Sequence, residues 1–92
     1  MKSDADLLNA YANAHDESAF AELVQRQVPL VYSTALRLAN GDIHLAQDIT
    51  QSVFIDLARK SRGLAGRFSQ RGEALGGWLY TSTRFAATVC RG

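Results

Sequence analysis

Residues 41–60 read GDIHLAQDITQSVFIDLARK. Apolar residues recur there at Ala46, Ile49, Val53 and Leu57, at intervals of three and four that stack side chains on one face of an α-helix. Asp42 stands just before the run, where a short carboxylate satisfies the first free amides of a helix. The spacing predicts a helix from Asp42 to about Lys60 with that seam buried. Its other side is unusual. At about 100° per residue, Asp48, Gln51, Ser52, Ile55 and Arg59 gather away from the seam, so Ile55 stands in the middle of a polar surface.

Upstream, residues 19–41 read AFAELVQRQVPLVYSTALRLANG. Phe20, Leu23, Val24, Val31, Ala35 and Leu38 keep helical spacing from a cap at Asp16 to the Asn40-Gly41 pair, where Gly41 suits a left-handed terminator. Pro29 removes an amide donor inside this pattern and is expected to bend the helix near residues 25–28. Ser3 and Asp6 resemble a capping arrangement for a short first helix over 4–14, with Leu7, Leu8 and Tyr11 on one face. Downstream, SRGLAGRFSQRG (residues 61–72) is rich in glycine, serine and arginine and reads as a loop. A last helix begins near Ala74 and carries Leu75, Trp78, Leu79, Phe85 or Ala86, and Val89 at helical spacing. Gly76 and Gly77 in its first turn suit a close backbone approach. No stretch alternates apolar and polar residues as a strand would. The expected fold is all-α, one compact bundle of three to four helices over residues 1–92.

Ninety-two residues make a single core. With 47% hydrophobic and 21% charged residues the composition is that of a soluble globular chain, and no apolar run is long enough to span a bilayer. One cysteine, Cys90, excludes an internal disulfide and a cysteine-cluster metal site and suits a reducing compartment. The amino terminus carries acids where an export signal would be apolar. His15 and His44 lie apart without partners, so a catalytic or metal centre has little to be built from. Charge is divided by sign: residues 1–58 hold three bases against eight acids, net −5, and residues 59–92 hold seven bases against one acid, net +6. A basic half suited to a polyanion and an acidic half suited to another partner is one reading; two halves that neutralise each other on folding is the other.

Three strings carry a family resemblance. Residues 41–60 resemble the second region of bacterial sigma factors, where Gly-Asp, Ala-x-Asp and Gln-x-x-Phe are typical of the extracytoplasmic-function group. GGWLYTSTRFAA (residues 76–87) resembles that group's Gly-Trp-Leu-Tyr element, followed by a helix with an arginine at the place of Arg84. Residues 19–41 are similar to its first long helix, proline included. The resemblance covers about residues 6–91, with the motifs in the family's order and spacing. It implies a helical transcription initiation domain that performs no chemistry, needs no cofactor and binds neither membrane nor small-molecule substrate. One helical face would dock on the β′ clamp of core RNA polymerase. The segment after that helix, with the last helix, would grip the non-template strand of the −10 promoter element. An anti-sigma factor is implied as a further partner, and the bacterial cytoplasm as the location. Four departures stand out. Ser52 replaces a frequent acid, Phe85 a common asparagine, and Thr81-Ser82 the tryptophans that wedge DNA open in primary sigma factors. The chain also stops at Gly92, where family members continue to a region 4-like helix-turn-helix, so a fragment is expected.

These implications divide the candidate residues. Asp48, Gln51, Ser52, Ile55 and Arg59 form the polymerase-binding set, an apolar anchor with a polar rim; a merely solvated face, or Ile55 covered by the first helix, is the plainer alternative. Arg62, Arg67, Phe68, Ser69, Gln70 and Arg71 bring cations, a ring and hydrogen-bonding groups within ten residues, which is what a single strand needs. Arginines that keep a loop soluble, and a Phe68 that anchors it to the core, are the alternatives. Tyr80, Arg84 and Arg91 complete the DNA-binding set, the two arginines lying seven residues apart on one helical face. Trp78 belongs to the core by spacing. A small helical protein-interaction module that never touches DNA is the alternative function.

Overall fold

The structure, a computed structural model, describes residues 3–71 and 75–91, with side chains for 3–67 and 75–90. Among the described residues there are five α-helices and no strand: α1 (Asp4–Ala14), α2 (Glu17–Leu38), α3 (Ile43–Arg59), α4 (Ser61–Arg71) and α5 (Leu75–Arg91). Three short side chains start the first three. The Ser3 hydroxyl accepts from the Asp6 amide at 3.1 Å while the Asp6 carboxylate accepts from the Ser3 amide at 3.2 Å, a reciprocal capping box. Asp16 accepts from the Ala19 amide and Asp42 from the Leu45 amide, each at 3.1 Å. Between α2 and α3 the chain reverses through Asn40 (φ 54°) and Gly41 (φ 85°), a left-handed pair that glycine enters without steric cost.

α2 runs unbroken through Pro29, so the expected bend does not split the helix. α2 packs on α3, α5 lies across both, and α1 bridges α2 and α4. Leu7, Leu8, Leu23, Val31, Ile49, Val53, Leu57 and Leu79 are essentially removed from solvent, and each side chain of this size contributes about 1.5–3 kcal/mol on burial. Thr34 and Thr83 are buried with them, and their hydroxyls donate to the carbonyls of Leu30 (3.0 Å) and Leu79 (2.6 Å) within their own helices. Asp4 ties the start of α1 to α2, meeting Arg26 at 3.3 Å and accepting from Gln27 at 2.6 Å.

Four expectations change. The loop over 61–72 is a helix through Arg71: Ser61, Leu64 and Ala65 are buried at i, i+3 and i+4, so packing against α1 outweighs the helix penalty of Gly63 and Gly66. The bundle therefore has five helices rather than three to four. Of the alternatives on α5, Ala86 is buried while Phe85 and Val89 are 67% and 61% exposed, so the apolar stripe does not continue to Val89. Trp78 is half-buried at the core's edge. Finally, a Cβ added at Gly76 or Gly77 would meet nothing within 4 Å, so no part of the described chain makes the close approach expected there.

Candidate nucleic-acid and polymerase interface

α3 has two faces of opposite character. Ala46, Ile49, Val53, Phe54 and Leu57 are buried. On the outward side Asp48, Gln51, Ile55 and Arg59 are exposed and Ser52 is half-buried, and Ile55 keeps 50% of its surface in solvent. α1 packs on α2 and α4 and leaves Ile55 uncovered. Among the described residues, the side chains of Asp48, Gln51, Ser52 and Arg59 make no hydrogen bond or ion pair. The five candidates for polymerase binding thus form one continuous strip along α3, polar and unengaged around an apolar centre.

At its carboxyl end the strip runs into α4. Arg59 and Arg62 border one open surface depression, shared with Tyr11 and His15 of the α1 terminus. Tyr11 is held by the ring of Phe20, centroids 4.5 Å apart. The helix α3–α4 junction therefore brings the last polymerase candidate beside the first DNA candidate, two groups that the sequence reading kept apart. Arg67 is exposed on α4. Phe68, Ser69, Gln70 and Arg71 lie in the last turn and a half of α4, and Arg91 in the last turn of α5; their side chains lie outside those described. The candidates expected on a loop thus lie on a helix, and residues 72–74, before α5, lie outside the described residues.

On α5, Tyr80 is 53% exposed and Arg84 is exposed, its guanidinium carbon 5.9 Å from the centre of the Tyr80 ring, a cation–π distance that fixes one group against the other. Among the described residues no acid pairs with Arg84, so the two charged halves do not neutralise each other there. Two side chains of α2 that the sequence reading passed over come to the same place. Leu30 and Arg37 are exposed beside Tyr80. The signal for Leu30 was an apolar residue one place after an exposed proline; Arg37 had none, because it was counted with the acidic half.

The family model for Sigma-70 region 2 matches residues 23–88, from the first turns of α2 into the last turns of α5. The chain belongs to the sigma-70 region 2 family. That family is a non-enzymatic transcription initiation factor domain. In the comparisons with curated proteins and with solved structures, nothing matches. The match to region 2 takes in all of α3 and α4 and leaves α1 outside, a narrower span than the resemblance suggested. Among the described residues no helix is long and apolar enough to cross a membrane, and no three potential ligands gather for a metal ion.

Proposed function

We propose that this chain is the region 2 domain of an extracytoplasmic-function sigma factor. It docks on the clamp of core RNA polymerase through the outward strip of α3 and holds the opened non-template strand of the −10 element with α4 and α5. The observation that carries this reading is Ile55, half in solvent at the centre of Asp48, Gln51, Ser52 and Arg59 while the reverse of the same helix is fully packed. An anchor of this kind becomes stabilising only when a partner covers it.

The DNA side is supported by sign and chemistry. Seven of the ten bases lie in residues 59–92 with one acid; Arg62, Arg67 and Arg84 are exposed, and Arg84 lies against the Tyr80 ring. Arg62, Arg67, Arg84 and Arg91 act as phosphate ligands, with Arg71 beside them in the DNA-binding set; Tyr80 and Phe68 offer rings for stacking, and Ser69 and Gln70 read a base edge. No wedge is built, since Thr81-Ser82 supply no large ring, so the domain stabilises a strand already opened and works by binding energy alone. It works in the bacterial cytoplasm, where an anti-sigma factor competes for the same surfaces.

The test is the affinity of the chain for single-stranded and duplex oligonucleotides carrying candidate −10 sequences at several salt concentrations. Preference for the single strand, with log K falling against log salt at a slope of roughly −3 for four neutralised phosphates, is expected. A chain that binds protein partners but no oligonucleotide would be the interaction module instead.

A further inference from the structure

Three helix ends meet at the open depression beside the α3–α4 junction. Tyr11, Ala12 and His15 bring the end of α1, Ala58 and Arg59 the end of α3, and Ser61 and Arg62 the start of α4. Two arginines and an imidazole thus border one hollow. No Asp or Glu lines it, and residues 57–72 carry five bases and no acid. The acids nearest in sequence do not serve these cations: Asp16 accepts from the Ala19 amide at 3.1 Å, and Asp56 forms no ion pair among the described residues. Among the described residues the side chains of His15, Arg59 and Arg62 make no hydrogen bond or ion pair, and all three are exposed. His15 is also held at φ 53° and ψ 36°, a left-handed conformation that glycine enters freely and other residues seldom adopt. Its amide closes the last turn of α1 on the Tyr11 carbonyl at 3.1 Å, a bond that glycine would make equally well. The turn therefore does not require the imidazole.

We propose that this depression is a site for a small oxyanion, the phosphate group of a free metabolite, held by Arg59 and Arg62 with His15 as a third donor. The chemistry selects the occupant. A guanidinium offers paired N–H donors that match two phosphate oxygens, and an imidazole donates an N–H whether neutral or charged. Cations gathered without a counter-charge repel one another, and an anion between them removes that repulsion. The start of α4 adds to the same field, since first-turn amides lack partners within the helix and carry partial positive charge. Donors supplied by three helices suit a tetrahedral group, with oxygens on every side, better than a planar carboxylate. The remaining walls are Ala12, Ala58 and Tyr11, and Tyr11 is half-buried and packed on Phe20, so the hollow offers little ring surface to a nucleobase. The proposal requires neither the docking nor the DNA reading. Where those readings hold, an occupied site withdraws Arg59 and Arg62 from them.

The experiment titrates the full chain, labelled with ¹⁵N, with inorganic phosphate and with pyrophosphate, against sodium chloride at matched ionic strength. Saturable shifts of the His15, Arg59, Ser61 and Arg62 amides that chloride does not produce are expected, with a melting temperature that rises as the site fills. Arg59→Gln and Arg62→Gln are each expected to weaken phosphate binding about tenfold, the loss of one charge-assisted pair. All three side chains are exposed, and circular dichroism checks that each variant keeps its fold. His15→Gly separates a ligand from a structural residue: binding is expected to weaken about threefold while the melting temperature without phosphate holds or rises, because glycine suits the left-handed turn. Oligo(dT) is the second probe, since its backbone carries the same group. Shifts of these amides with oligo(dT) but no saturable response to phosphate or pyrophosphate overturn the proposal and leave the arginines to the strand. A drift with phosphate no different from that with chloride, or a phosphate affinity that all three variants leave unchanged, overturns it as well.

Discussion

Ile55→Ala separates docking from folding because of where the side chain stands. Ile55 keeps half its surface in water in the free domain, so truncation removes few core contacts and domain stability should change by less than about 1 kcal/mol. The proposed docking on polymerase would bury the exposed half. Full burial of an isoleucine contributes about 1.5–3 kcal/mol, so half contributes roughly 0.8–1.5 kcal/mol, a four- to twelve-fold loss of affinity at about 1.4 kcal/mol per decade. Ile55→Glu adds a desolvated carboxylate without a partner, which costs a further few kcal/mol and should abolish measurable binding. Asp48→Ala and Gln51→Ala at the rim should each cost about threefold or less. The assay is fluorescence anisotropy of the labelled domain titrated with core RNA polymerase, with thermal melting of each variant alongside. Wild-type affinity in Ile55→Glu, with an unchanged melting curve, would refute the docking assignment.

Asp42→Ala removes the carboxylate that accepts the Leu45 amide and should cost about 1 kcal/mol, a fall in melting temperature of roughly 4–8 °C for a domain of this size. Gly63→Ala should do the reverse, since its added Cβ meets nothing within 4 Å and the helix gains about 0.4–1 kcal/mol; destabilisation in melting experiments would mean that this part of α4 is not helical. Trp78, half-buried rather than enclosed, should show emission between the buried and exposed extremes and partial quenching by iodide. Complete protection would return it to the core.

The parts of the fold written locally were legible in the sequence. Ser3, Asp16 and Asp42 mark helix starts by short-range hydrogen bonds, and Ala46, Ile49, Val53 and Leu57 mark a face by spacing alone. α4 was not legible because its two glycines argue against a helix, and what holds it is α1, some fifty residues away in sequence. Among its described side chains, the buried Ser61, Leu64 and Ala65 include one large apolar group, too weak a stripe to outvote the glycines. Val89 misled for another reason. Periodicity places it near the apolar side of α5, but periodicity does not say where neighbouring helices end. The outward strip of α3 was readable because one helix carries all of it, whereas the meeting of Leu30 with Tyr80 was not, since α2 and α5 contribute them from positions some fifty apart. Counting charge along the chain groups Arg37 with the acidic half, whereas in space it stands beside Tyr80 of α5.

The most direct measurement is the equilibrium binding of the chain to core RNA polymerase freed of its own sigma factor, read with and without a labelled single strand carrying a −10 element. The account predicts saturable binding to the core enzyme that Ile55→Glu removes, and retention of the single strand by the polymerase-bound chain in a salt-dependent manner. A folded chain that leaves the core enzyme unbound at every concentration tested would contradict it.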